Sequence, residues 1–173
     1  MMGISTKKGD PMRVGDIVIV SDLGEMKIYQ AKARDLEAEA DLKPNHIKLD
    51  LIDTKDYVVS HWKLHEWVTD QAGQFKGGAQ SEGAFTQGSV GERHGLEKQM
   101  EMEVIEMIAK DISDAIATNH PLKWYFGLPE TIYHRVMERI DASAKEKLFL
   151  TLKKDLVKTD KSHLVEIFQK KVA

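Results

Sequence analysis

The sequence predicts an α/β fold, a single domain in which a mixed β-sheet has helices packed on it. Three features point there. "DIVIVSDLGEMKIYQA" sets two apolar runs on either side of a glycine turn, and apolar residues from 96 to 116 recur every three or four positions. After that, short apolar runs alternate with helical patterns to the C-terminus. At 173 residues, 42% hydrophobic and 31% charged, the chain can bury one sizeable core, and no internal repeat divides it.

Taken in order, residues 1–14 read as a flexible N-terminal tail ahead of a domain over 15–173. Ile17 to Val20 are four consecutive β-branched apolar residues, which suits a strand covered on both faces. Gly24 marks a turn and "MKIYQA" a second strand, so a hairpin is expected over 16–31. "KARDLEAEADLKPN" is polar and contains Pro44, as a connector would. In "HIKLDLID", Ile47, Leu49 and Leu51 alternate with Lys48 and Asp50, the pattern of a half-buried strand; "DTKD" then reads as a turn and "YVVSHW" as further sheet.

Beyond a glycine-rich stretch, Leu96, Met100, Val104, Met107, Ile108, Ile112 and Ile116 fall on one stripe of a long helix that Asn119, His120 and Pro121 end. "KWYFGL" is a short strand, and Pro129 opens a helix with Ile132, Val136 and Ile140 on one face. "KLFLTLKKDLVK" alternates enough for a strand, although its lysines and leucines also suit a helix. Thr159 or Asp160 caps a final helix containing Leu164, Ile167 and Phe168.

Composition excludes several chemistries. With no cysteine there is no disulfide framework, thiol nucleophile or cysteine-held zinc, which fits a reducing, cytoplasmic setting. "MMGISTKKGDPMRVGD" has no apolar run to serve as a signal peptide, and no segment has the apolar length to cross a bilayer, so no membrane association is expected. A net charge of −3 argues against whole-surface attraction to nucleic acid but leaves room for local patches. Charge is unevenly spread: residues 92–118 hold seven acids and three Lys or Arg, whereas 142–173 hold eight lysines and four acids.

Catalytic motifs are sparse. His61 and His65 in "SHWKLHEW" have the i, i+4 spacing of a metal pair, yet Trp62 stands where a zinc protease needs its glutamate, and two ligands do not make a site. Trp62 and Trp67 are expected to bury against the sheet. No G-x-S-x-G, P-loop or G-x-G-x-x-G occurs, so no nucleotide or other cofactor is expected.

The segment "QFKGGAQSEGAFTQGSVGERHG", residues 74–95, holds six of the twelve glycines. Such a stretch is either a solvated linker or a loop shaped for close approach, and a long loop is expected at about 72–91. Arg93 and His94 close it; read as the first residues of the following helix, they are cations where the helix dipole favours an anion.

The opening hairpin "DIVIVSDLGEMKIYQA", the glycine-rich loop, "RHGLEKQMEMEVIEMI", "KWYFGLPE" and "LFLTLKKDLVK" before a last helix together resemble the bacterial family catalogued as host-attachment proteins. That family is similar to the central domain of archaeal and eukaryotic class-I peptide-chain release factors and of the Pelota ribosome-rescue proteins. The resemblance spans residues 15–172 and rests on element order. It implies a release-factor-like fold and a ribosome or tRNA partner. In the release factors a Gly-Gly-Gln at the loop tip helps to orient water against the peptidyl-tRNA ester.

Gly77, Gly78 and Gln80 match those residue types, which makes Gln80 the candidate catalytic residue. Ala79 intervenes, however, and an extra residue displaces Gln80 and turns its peptide group. A misplacement of about 1 Å already costs roughly 100-fold in rate, which counts against hydrolysis by that route. RNA or ribosome binding through Lys76, Gly77, Gly78, Arg93 and His94 depends less on fine geometry. Glu82 and Glu92 balance Lys76 and Arg93, so the loop is neutral overall. Two other readings stand beside this one: a non-catalytic interaction protein linked to host attachment, and a metal-dependent hydrolase using His61 and His65.

Overall fold

An all-β-branched run such as Ile17–Val20 is stable as a strand only where both of its faces are covered. In the computed structural model this run is the middle strand of the sheet. The structure describes residues 12–34, 47–57 and 82–172, with backbone only for 82–94, 96, 171 and 172. Strand β1 (Ile17–Ser21) is buried at all five positions. It pairs antiparallel with β2 (Glu25–Ala33), and β3 (Ile47–Asp56) pairs antiparallel with β2 in turn. On its other side lie β4 (Trp124–Gly127) and then β5 (Leu148–Leu152), both parallel to it. The order β3-β2-β1-β4-β5 makes one mixed five-stranded sheet. Four helices accompany it among the described residues: α1 (Glu82–Asn119), α2 (Glu130–Met137), α3 (Ala142–Lys147) and α4 (Lys161–Val172).

Strand alternation sorts the core into two layers. Ile17, Ile19, Met26, Ile28, Trp124 and Phe126 face α1, α2 and α3, whereas Val18, Val20, Tyr29, Ala31 and Tyr125 face α4. On α1 the expected stripe is buried at Met100, Val104, Ile108, Ile112 and Ile116, joined by Ile105 and Ala109. The helix stops at His120, whose φ of 47° is the left-handed turn of a helix end, with its N–H donating to the Ile116 carbonyl at 3.1 Å. Trp124 keeps its indole N–H satisfied in the core by donating to the Ala144 carbonyl at 2.7 Å.

A buried ion pair closes the N-terminal end of the parallel strands. Lys123 Nζ lies 2.7 Å from Asp16 Oδ2, both side chains being 3% exposed, and the Arg13 N–H donates to the same carboxylate at 2.8 Å. Burial pushes the Asp16 carboxyl above its ordinary range, and Lys123 pulls it partly back.

Several expectations change. Met12 is fully buried in the α4-side core, so the packed body reaches back into the stretch read as a tail. "DTKD" is strand, because β2 offers backbone partners as far as Glu25↔Asp56, and polar side chains are tolerated on an edge strand. Leu51 keeps the register of Ile47 and Leu49, opposite Tyr29, yet is 47% exposed; the β2–β3 register shifts just after it, at Ile28/Tyr29, where Ile52 is left without a partner. Helix α3 had no periodic signal in its six residues. Apart from Tyr57, the "YVVSHW" run lies outside the described residues, as do Trp62 and Trp67.

Candidate functional site

The structure describes the chain up to Tyr57 and again from Glu82, inside the glycine-rich segment. After β3, the Tyr57 N–H donates to the Gly24 carbonyl at 2.8 Å. The Tyr57 hydroxyl donates to Asp111 Oδ2 at 2.6 Å on α1, and burial together with that carboxylate pushes the phenol well above its ordinary value. Tyr57, the last residue described ahead of Glu82, is thus bonded to α1.

That helix begins at Glu82, inside the stretch expected as loop to about 91; Gly83, Gly88 and Gly91 weaken a helix without forbidding one. Lys76, Gly77, Gly78 and Gln80 lie outside the described residues, as do His61 and His65. Gln80 stands two positions ahead of the first residue of α1. Arg93 and His94 are on α1, eleven and twelve positions beyond Glu82, and their side chains are not among those described. They are therefore not first-turn residues, and the expected conflict with the helix dipole, which acts over one turn, does not arise. Gly95, Glu97, Lys98 and Gln99 are exposed, and the first buried residue described on α1 is Met100. At 1.5 Å per residue, the helix from 82 to 100 spans about 27 Å.

A second constellation sits at the C-terminal ends of the parallel strands, where open α/β sheets commonly hold ligands. Asp22 follows β1, and its Oδ1 accepts the Gly24 and Glu25 N–H groups at 2.7 and 2.8 Å. Asp155, three residues past β5, accepts the Val157 N–H at 3.2 Å and shares a hydrogen bond with the Asp22 side chain; burial and then Asp22 raise its carboxyl. Gly127 ends β4, and a Cβ there would stand 2.8 Å from Leu156 Cδ1, so the glycine admits the loop after β5. The pair was half legible: Asp-x-Gly after a strand signals a turn, but nothing in the sequence links Asp22 to Asp155.

Two open clefts lie along α1. One, of about 390 Å³, is lined by Glu106, Lys110, Ser113, Asp114, Arg139 and Asp141. The other, of about 180 Å³, includes Asp53, Lys55, Asp111 and Asn119. Among the described residues no three His, Cys, Asp or Glu side chains are grouped to hold a metal ion, and no helix is long and apolar enough to cross a membrane.

The described residues form an α/β body built on one mixed five-stranded sheet. A family model described as "Protein required for attachment to host cells" matches residues 17–167, and the chain belongs to that family. No curated protein matches it.

Proposed function

We propose that this family member acts by macromolecular contact, with the glycine-rich segment reaching the RNA of the ribosome or tRNA. The observation that carries the reading is the position of Gly77-Gly78-Ala79-Gln80 directly ahead of a 38-residue helix whose described packing starts at Met100. A motif two positions ahead of a helix that runs about 27 Å to Met100, with Gly95 and Glu97 to Gln99 exposed, is suited to reach into a partner. Glycines let bare backbone approach phosphates, and Lys76, Arg93 and His94 supply charge. Ala79 makes this a contact rather than a release-type hydrolysis, and host attachment then follows indirectly, through translation.

Sedimentation of purified ribosomes with the full chain tests it. The protein pellets at low salt and is released as salt rises, and Lys76→Glu/Arg93→Glu lowers the pelleted fraction about tenfold. Equal pelleting of variant and wild type would remove the segment from the interface. The family description favours a second reading, a direct protein partner in attachment. If the same variant loses ribosome pelleting yet fully restores attachment to a deletion strain, that second reading prevails.

A further inference from the structure

The stretch from the end of β5 to the first residue of α4, "KKDLVKTDK", carries four lysines and two aspartates in nine residues of a chain whose net charge is −3. Lys153, Lys154, Lys158 and Lys161 are all exposed. Among the described residues, no ion pair within 4.0 Å engages any of the four. Both aspartates hydrogen-bond within their own stretch of chain. Asp155 accepts the Val157 N–H and lies beside the like-charged Asp22, and Asp160 Oδ2 accepts the N–H and hydroxyl of Ser162, so the stretch keeps a net charge of +2, four lysines against two aspartates. Of the neighbouring acids, Asp22 is itself bound to two backbone N–H groups, Glu25 lies near this end of the sheet, and Asp50, within electrostatic reach of Lys161, pairs with Lys32 at 3.2 Å.

The loop is also held in shape. Leu156 is 6% exposed and seated over Gly127, Val157 is fully buried, and the Thr159 N–H donates to the Leu156 carbonyl at 3.1 Å. Lysines on a loop fixed this way lose little backbone freedom on binding. Because both apolar residues point inward, the loop has nothing to insert into a lipid surface. At its edge Lys153 Nζ sits 4.8 Å from the ring centroid of half-buried Tyr133, so an aromatic side chain adjoins the charge. Exposed cations beside an aromatic ring suit a single strand, whose phosphates and unstacked bases are both reachable.

We infer that the β5–α4 loop is a contact surface for single-stranded RNA, with Lys154, Lys158 and Lys161 on the phosphate backbone and Tyr133 with Lys153 at its rim. It shares the RNA-contact reading above but rests on other residues.

The test is fluorescence anisotropy of a labelled oligouridylate with the full chain across a salt series. Lys154→Glu/Lys158→Glu weakens binding about tenfold, and the slope of log K against log salt becomes shallower by about 1.4, the loss of two single-strand contacts. Lys154→Gln/Lys158→Gln gives a smaller loss in the same direction. Lys110→Glu/Lys145→Glu, the same charge change at exposed sites on α1 and α3, stays within about twofold of wild type. Equal losses in the two Glu pairs, no loss in the loop pair, or tighter binding to anionic lipid vesicles or duplex RNA than to the oligouridylate would overturn the inference. If the loop pair binds RNA normally while ribosome pelleting still depends on Lys76 and Arg93, this inference fails and the proposed function stands.

Discussion

Asp16 and Lys123 show what single residues do in this body. A charged pair at 3% exposure is maintained by its geometry, and removing one partner strands the other. Asp16→Ala is expected to cost about 3–5 kcal/mol in urea unfolding, whereas Asp16→Leu/Lys123→Met returns close to wild type. Gly127 has a different constraint. With Leu156 Cδ1 2.8 Å and Val20 Cγ1 3.2 Å from any added Cβ, Gly127→Val overpacks and destabilises by about 1–3 kcal/mol, and Leu156→Ala in the same chain relieves part of the strain. A melting experiment in which Gly127→Val is neutral would mean that the loop after β5 gives way freely. Neither constraint was visible in the sequence: the Asp16–Lys123 pair joins residues far apart in the chain, and Gly127 is one glycine among twelve.

At the scale of elements, legibility follows the strength of the period. Helix α1 was readable from its apolar stripe because Val104, Ile108, Ile112 and Ile116 fill one layer of the core. Ile108→Ala there should cost about 2–5 kcal/mol by chemical denaturation. The start of α1 was not readable, since four glycines between 82 and 95 look like loop and their helical cost is only about 1 kcal/mol each. The end of β3 was equally hidden, because backbone pairing with β2 carries a polar run that side-chain pattern alone assigns to a turn. The cap of α4 was legible at Asp160, whose bonds to Ser162 hold its carboxyl below the ordinary 3.8. A depressed folded value means the stabilisation is complete above 3.8 and is lost as pH falls through the folded value. The melting temperature of Asp160→Ala should therefore lie below wild type at neutral pH, with the gap closing in acid below 3.8. A gap unchanged down to strongly acidic pH would show that the carboxylate charge contributes nothing.

For the whole molecule, the mixed sheet with helices on both faces was legible from the hairpin followed by alternating strands and helices, and the family match spans residues 17–167. The candidate contacts were legible unequally. The glycine-rich segment stands out by composition, whereas the basic loop emerges only once its lysines are seen to be exposed and its apolar residues buried. An overall charge of −3 conceals that arrangement. The two proposed surfaces together describe a protein that would grip a polyanion by contact. Ultraviolet crosslinking in living cells, with RNA-bearing peptides mapped by mass spectrometry, tests this most directly. The expected result is adducts on peptides covering 76–93 and 153–161. Absence of RNA adducts, or adducts confined to the cleft between Glu106 and Asp141, would contradict it.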